Sequence, residues 1–200
     1  MPTRDVAMEE YCLRGLFRRP EVFYAVNRKL RQLAGSNRAL LEGPLGDWNA
    51  EDFSHSDYRN LMNLFRAALD QDEMELFDFV RTQADESLLP HLDAILADDL
   101  DGVRTRLHNG LKADLGIVWM QGQRAIASLD MAGELLEKAL KLRINRLQRE
   151  RETLGFLQID AQENGDSVAE EQFQGQIILS SIAKGLIEAE LQKQMSALRE

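Results

Sequence analysis

Residues 136–191 read LEKALKLRINRLQRERETLGFLQIDAQENGDSVAEEQFQGQIILSSIAKGLIEAEL, and their patterning decides the fold. Leu136, Leu140, Ile144, Leu147, Leu154, Leu157 and Ala161 form a near-heptad seam, with charged residues and glutamine over much of the opposite face. Asn164, Gly165, Asp166 and Ser167 then stop one helix and start another. Gly165 supplies the left-handed C-cap, and Asp166 or Ser167 the next N-cap. A last helix runs to about Leu198, with Leu179, Ile182, Leu186 and Ala189 as its stripe. Two long helices joined by so short a turn are expected to be antiparallel neighbours.

Upstream, shorter periodic segments alternate with loops. Met8, Tyr11, Cys12 and Leu16 share one face of a helix over about Asp5–Arg18. Pro20 suits the first turn of the next helix, whose stripe is Phe23, Val26, Leu30 and Leu33. Two glycine-containing clusters, 34–37 and 42–47, punctuate the chain before Ser56 offers an N-cap. Tyr58, Leu61, Met62, Phe65 and Leu69 follow at helical spacing, then Met74, Phe77 and Val80, then Leu88, Leu89, Leu92, Ile95 and Leu96. Beyond Asp101 one or two helices are expected, bending near Gly110–Gly122. The predicted fold is therefore all-α and free of strands. It comprises a compact helical bundle at 1–97, a connecting helix or helices at 98–133, and a C-terminal helical hairpin at 134–200.

Composition agrees, since only 4 Pro and 13 Gly occur among 200 residues and the chain is rich in strong helix formers. The net charge of −10 argues against direct nucleic-acid binding, which needs a dominant basic field. The charge is uneven. Asp70–Asp101 holds eleven acids against Arg81 alone, whereas Lys138–Arg151 holds six basic residues against Glu150. A solvated helix face is the economical reading of each run; docking against the other run or a partner is the alternative. The longest stretch without a polar side chain, Leu115–Met120, is too short for a membrane span, and the first residues lack a signal-peptide core. The expected compartment is cytoplasmic, and lone Cys12 reads as a small buried hydrophobe.

Chemistry-bearing constellations are not found in the sequence. His55, His91 and His108 share no ligand spacing with one another or with Cys12, and Asp98, Asp99 and Asp101 lack a calcium-loop context. There is no phosphate-binding glycine loop, no GxSxG and no CxxC. Phe17, Phe23, Phe65, Phe77 and Trp119 fall in helical patterns and read as core. The expectation is no catalytic residue, no cofactor and no metal.

Glu9, Leu13, Leu16, Pro20 and Glu21 make an opening E-x-x-x-L-x-x-L-x-x-x-P-E helix, followed by Asp52, Phe53, Tyr58 and Arg59. Later come Leu140, Leu142, Arg143, Ile144, Arg146 and Leu147, then Ala161, Gln162, Gly165 and Asp166 in an A-Q-x-x-G-D turn. In this order they resemble the C-terminal region of bacterial DNA primases, the non-catalytic part that binds the replicative helicase. The resemblance covers most of 8–97 and 134–198; residues 102–133 match nothing in the family pattern, and a primase's zinc-binding and polymerase domains are missing. What it implies is a docking module for the hexameric replicative helicase, in a fragment or a stand-alone relative. The N-terminal domain of the helicase itself has a similar bundle and hairpin and is the runner-up. A helical scaffold that self-associates, or a homodimer formed through the hairpin, is the alternative of another class.

A two-helix hairpin buries one seam, and the last helix carries more apolar residues than one seam uses. Phe173, Ile177, Ile178, Ile187, Leu191 and Leu198 lie beside the expected stripe and are the candidate partner-binding residues. The alternative is that they only widen the hairpin seam or pack on the bundle; on the docking reading, removing the chain after about Glu163 is expected to leave the bundle folded while helicase binding falls at least about tenfold.

Overall fold

The computed structural model describes residues 4–97 and 127–197. Helices α1 (Arg4–Arg18), α2 (Glu21–Ala34), α3 (Arg38–Leu41), α4 (Ser56–Leu69), α5 (Leu76–Gln83) and α6 (Leu89–Leu96) occupy the first segment, with a 3-10 turn at Ala50–Asp52. Two long helices, α7 (Ala127–Glu163) and α8 (Ser167–Ala197), occupy the second. The fold is all-α, with no strand among the described residues, and α7 and α8 form a packed helix pair. No helix among the described residues is long and apolar enough to cross a membrane. The expected connection at 98–126, with its bend, Trp119 and His108, lies outside the described residues.

The chain forms two compact units, each drawing on two segments. The first takes Met1–Tyr24 and Asn49–Leu142, the second Ala25–Trp48 and Arg143–Glu200. They are interleaved along the chain, whereas the sequence suggested consecutive blocks.

In the first unit α1 packs on α4 and α6, and α4 on α5. Tyr11, Cys12, Leu13, Leu16 and Phe17 of α1 are buried with Leu61, Met62 and Phe65 of α4, Val80 of α5, and Leu92 and Ile95 of α6. Phe17 and Phe65 meet edge to face with centroids 5.4 Å apart, the favoured geometry of aromatic pairs. Phe77 also stacks on Phe17 but keeps part of its ring exposed, so it is core on one side only. Gly15 lets α7 close in: a Cβ there would stand 2.7 Å from Leu135 Cδ2, and Leu135 is buried. Burial pushes the Cys12 thiol far above its ordinary range, as expected of a buried thiol.

The entry to α4 is fixed from α1. The buried Glu9 carboxylate accepts the Ser54 N–H and hydroxyl, each at 2.6 Å, and the His55 N–H at 3.1 Å. The N-cap is His55 and not Ser56: its Nδ1 accepts the Asp57 N–H.

In the second unit Val26, Leu30, Leu40, Leu45, Trp48, Leu147, Ala183 and Ile187 are buried. Asn27 Oδ1 accepts the Trp48 N–H at 2.8 Å. Arg143, buried and charged, donates to the carbonyls of Pro44 (2.8 Å), Gly46 (2.9 Å) and Asp47 (3.2 Å). This corrects the solvated reading of the basic run, because Arg143 and Lys138 are both buried. A guanidinium carries several donors in a fixed fork and so can satisfy a loop whose carbonyls have no helix to receive them. The acidic run is solvated as expected: its acids from Asp70 to Asp93 are all exposed.

Candidate interaction surface

The turn between α7 and α8 follows directly from its residues. Gly165 has a φ of +70°, a left-handed conformation that costs glycine nothing. The Asp166 N–H donates to the Ala161 carbonyl at 2.9 Å and the Gly165 N–H to that of Gln162 at 3.2 Å. This is the Schellman pattern that satisfies the last carbonyls of a helix. Asp166 Oδ1 then accepts the Ala169 N–H at 3.0 Å, so Asp166 rather than Ser167 caps α8. The expected stop and start are both present.

The buried face of α8 is displaced from the expected stripe. Ser180, Ala183 and Ile187 are buried, while Ile182 is 46% exposed and Ala189 is exposed. Glu190 continues the inward face through an ion pair with Lys29 of α2, 2.9 Å long, which holds the Glu190 carboxyl below its ordinary range. α8 also packs on α3.

The six expected contact residues therefore separate. Ile187 is fully buried and belongs to the core, a correction to its candidacy as a free apolar group. Phe173, Ile177 and Leu191 are half-buried. Ile178 is 52% exposed, and Leu198 lies outside the described residues. Removing α8 would also strip Ala183 and Ile187 from the second unit, so truncation after Glu163 is a test of folding before it is a test of docking.

A second apolar surface escaped the reading of the sequence. On the last turns of α7, Phe156 is 74% exposed and Ile159 55%. Spaced three apart, they share one face, opposite buried Ala161 and half-buried Leu154 and Gln158. Leu157, expected in the seam, is 42% exposed, and Val168 is 66% exposed just past the turn. The signal was present as two large apolar residues on an otherwise polar face, overshadowed by the leucine seam.

Most residues that carry the primase resemblance hold the fold together. Glu9 anchors the start of α4, Asp52 Oδ2 accepts the Asn49 N–H, and Arg59 Nε donates to the Phe53 carbonyl at 2.7 Å. Arg146 pairs with Glu150 one turn on. The fold also gathers residues that no spacing linked: His91 Nε2 lies 3.1 Å from Asp57 Oδ2, and the rings of His55, Tyr58 and His91 are mutual neighbours. Among the described residues, no group of three or more His, Cys, Asp or Glu side chains could hold a metal ion.

No protein-family model, curated protein or solved structure matches this chain.

Proposed function

We propose that this chain is a docking module of the kind found at the C-terminus of bacterial DNA primases, binding the replicative hexameric helicase and doing no chemistry itself. The observation that carries the reading is the exposed pair Phe156 and Ile159 near the hairpin turn, with Leu157 and Val168 close in sequence. Large apolar side chains grouped outside a protein's own core are the anchors of protein interfaces. The order of the sequence motifs, from the Glu9 helix to the Gly165 turn, supports a helicase as the partner.

Binding of the purified chain to a hexameric replicative helicase from the same source tests the reading. The wild-type chain is expected to form a complex on a sizing column. The double variant Phe156→Asp, Ile159→Asp is expected to lose at least about tenfold in affinity, some 1.4 kcal/mol, with unchanged helical circular dichroism. Failure of the wild-type chain to bind would overturn the helicase reading. Undiminished binding by the variant would remove the hairpin tip from it.

A further inference from the structure

The outer face of α8 carries a pattern that the chain's own packing leaves unused. Glu171, Gly175, Ile178, Ile182, Gly185 and Ala189 recur at alternating intervals of four and three residues, the spacing of a coiled-coil seam. Residues two apart lie about 200° apart around a helix, which places Ile178 and Ile182 opposite buried Ser180. A Cβ on Gly175 or Gly185 would meet nothing within 4 Å, and neither glycine has a positive φ. Nothing in the described part of the chain requires glycine at either place.

The central residues read the same in both directions. Gly175, Ile178, Ile182 and Gly185 are symmetric about the level of Ser180. An antiparallel copy of α8 would set Ile178 against Ile182 of the second copy, and Gly175 against Gly185 of the second copy, each contact occurring twice. Such self-complementarity is what a two-fold interface demands, and an unrelated helix would have no use for it. Charge selects the direction. Antiparallel packing brings exposed Glu171 level with Ala189, one turn from exposed Lys193 of the second copy, whereas parallel packing would stack Glu171 on its own counterpart.

We infer that the outer face of α8 is a homodimer interface in which two copies of this chain pair antiparallel about the level of Ser180. It is independent of the helicase reading, which rests on Phe156 and Ile159 of α7. Sedimentation velocity of the full chain over a wide concentration range is expected to show monomer giving way to dimer. Ile182→Glu is expected to weaken dimerisation at least about tenfold while leaving circular dichroism unchanged, because the side chain is already half in solvent. Disulfide formation reads the direction, since bridged residues need Cα atoms within about 7 Å. Under oxidation an equal mixture of Ile178→Cys and Ile182→Cys chains is expected to cross-link far more than either alone; Cys12 is buried in both. A wild-type chain that stays monomeric throughout overturns the inference. So does a dimer indifferent to Ile182→Glu, or equal cross-linking by each variant alone, which would mean a parallel pair.

Discussion

Glu9 and Ser54 are joined by two hydrogen bonds to a single carboxylate oxygen: Oε1 of Glu9 accepts both the backbone N–H and the hydroxyl of Ser54. Forty-five residues apart, they tie the middle of α1 to the entrance of α4. Glu9→Ala is expected to remove the charged acceptor of the Ser54 and His55 N–H groups and to cost about 2–4 kcal/mol. For a chain of this length that is a fall in melting temperature of roughly 4–16 °C. Glu9→Gln keeps one acceptor oxygen and is expected to lose less than half as much. A melt of Glu9→Ala matching the wild type would show the joint to be dispensable.

Arg143 is expected to resist even conservative replacement. Arg143→Met removes the donors to Pro44, Gly46 and Asp47 and is expected to cost about 2–4 kcal/mol in urea unfolding. Arg143→Lys keeps the charge without the planar fork and is expected to recover only part of the loss. Hydrogen exchange should report faster opening at 44–48 in both variants, and unaltered exchange there would refute the clamp.

Gly15→Ala sets helix propensity against packing. The substitution is worth about 1 kcal/mol to an exposed helix, but here the new Cβ meets buried Leu135. Overpacking typically costs about 1–3 kcal/mol, so the net effect is expected to be destabilising. Gly15→Ala combined with Leu135→Ala is expected to be more stable than the sum of the single changes predicts, the mark of direct contact. Strict additivity in a double-mutant cycle would deny the contact.

Alkaline titration has a defined sign at Tyr58. Burial chiefly, with Glu10 and Glu9 nearby, pushes its phenol up from 10.0 to about 12. A folded-state value above the unfolded one favours folding while the group is neutral, so this contribution is complete below about pH 10 and lost as pH rises toward 12. Tyr58→Phe is expected to flatten the stability profile in that window, and an unchanged slope would count against the assignment.

Cys12 should serve as a reporter of global opening. Fully buried, with its thiol pushed up by desolvation, it presents no thiolate to an alkylating reagent at neutral pH. Labelling is expected to be slow in buffer and to accelerate in step with unfolding by urea. Rapid labelling of the native chain would contradict the burial.

The parts of this fold legible in the sequence are those set by neighbours along the chain. Gly165 and Asp166 announced the hairpin turn, because capping is settled within a few residues. The stripes of α1, α2 and α4 were legible for the same reason. On α8 two apolar faces compete, and counting apolar residues favoured Leu179 and Ile182. The buried face instead carries Ser180, Ala183 and Ile187, with Lys29 reaching Glu190, a contact that periodicity does not register. Arg143 was illegible for a related cause: within a basic run it looks solvated, and only a distant loop makes its burial tolerable. Phe156 and Ile159 stood in plain view on a polar face, but exposure is a property of the folded surface and not of the pattern.

The reach of Arg143 across 96 to 99 positions to its three carbonyls also sets an order of events during synthesis. The loop after α3 emerges early and has to wait for this side chain before its carbonyls are satisfied. At about 5–20 residues added per second, that wait is roughly 5–20 s. Throughout it, Leu45 and Trp48 lack the α7 clamp that holds their loop, which makes the nascent chain, more than the finished protein, the vulnerable species. Slowing translation between codons 48 and 143 should lower the soluble yield of this protein.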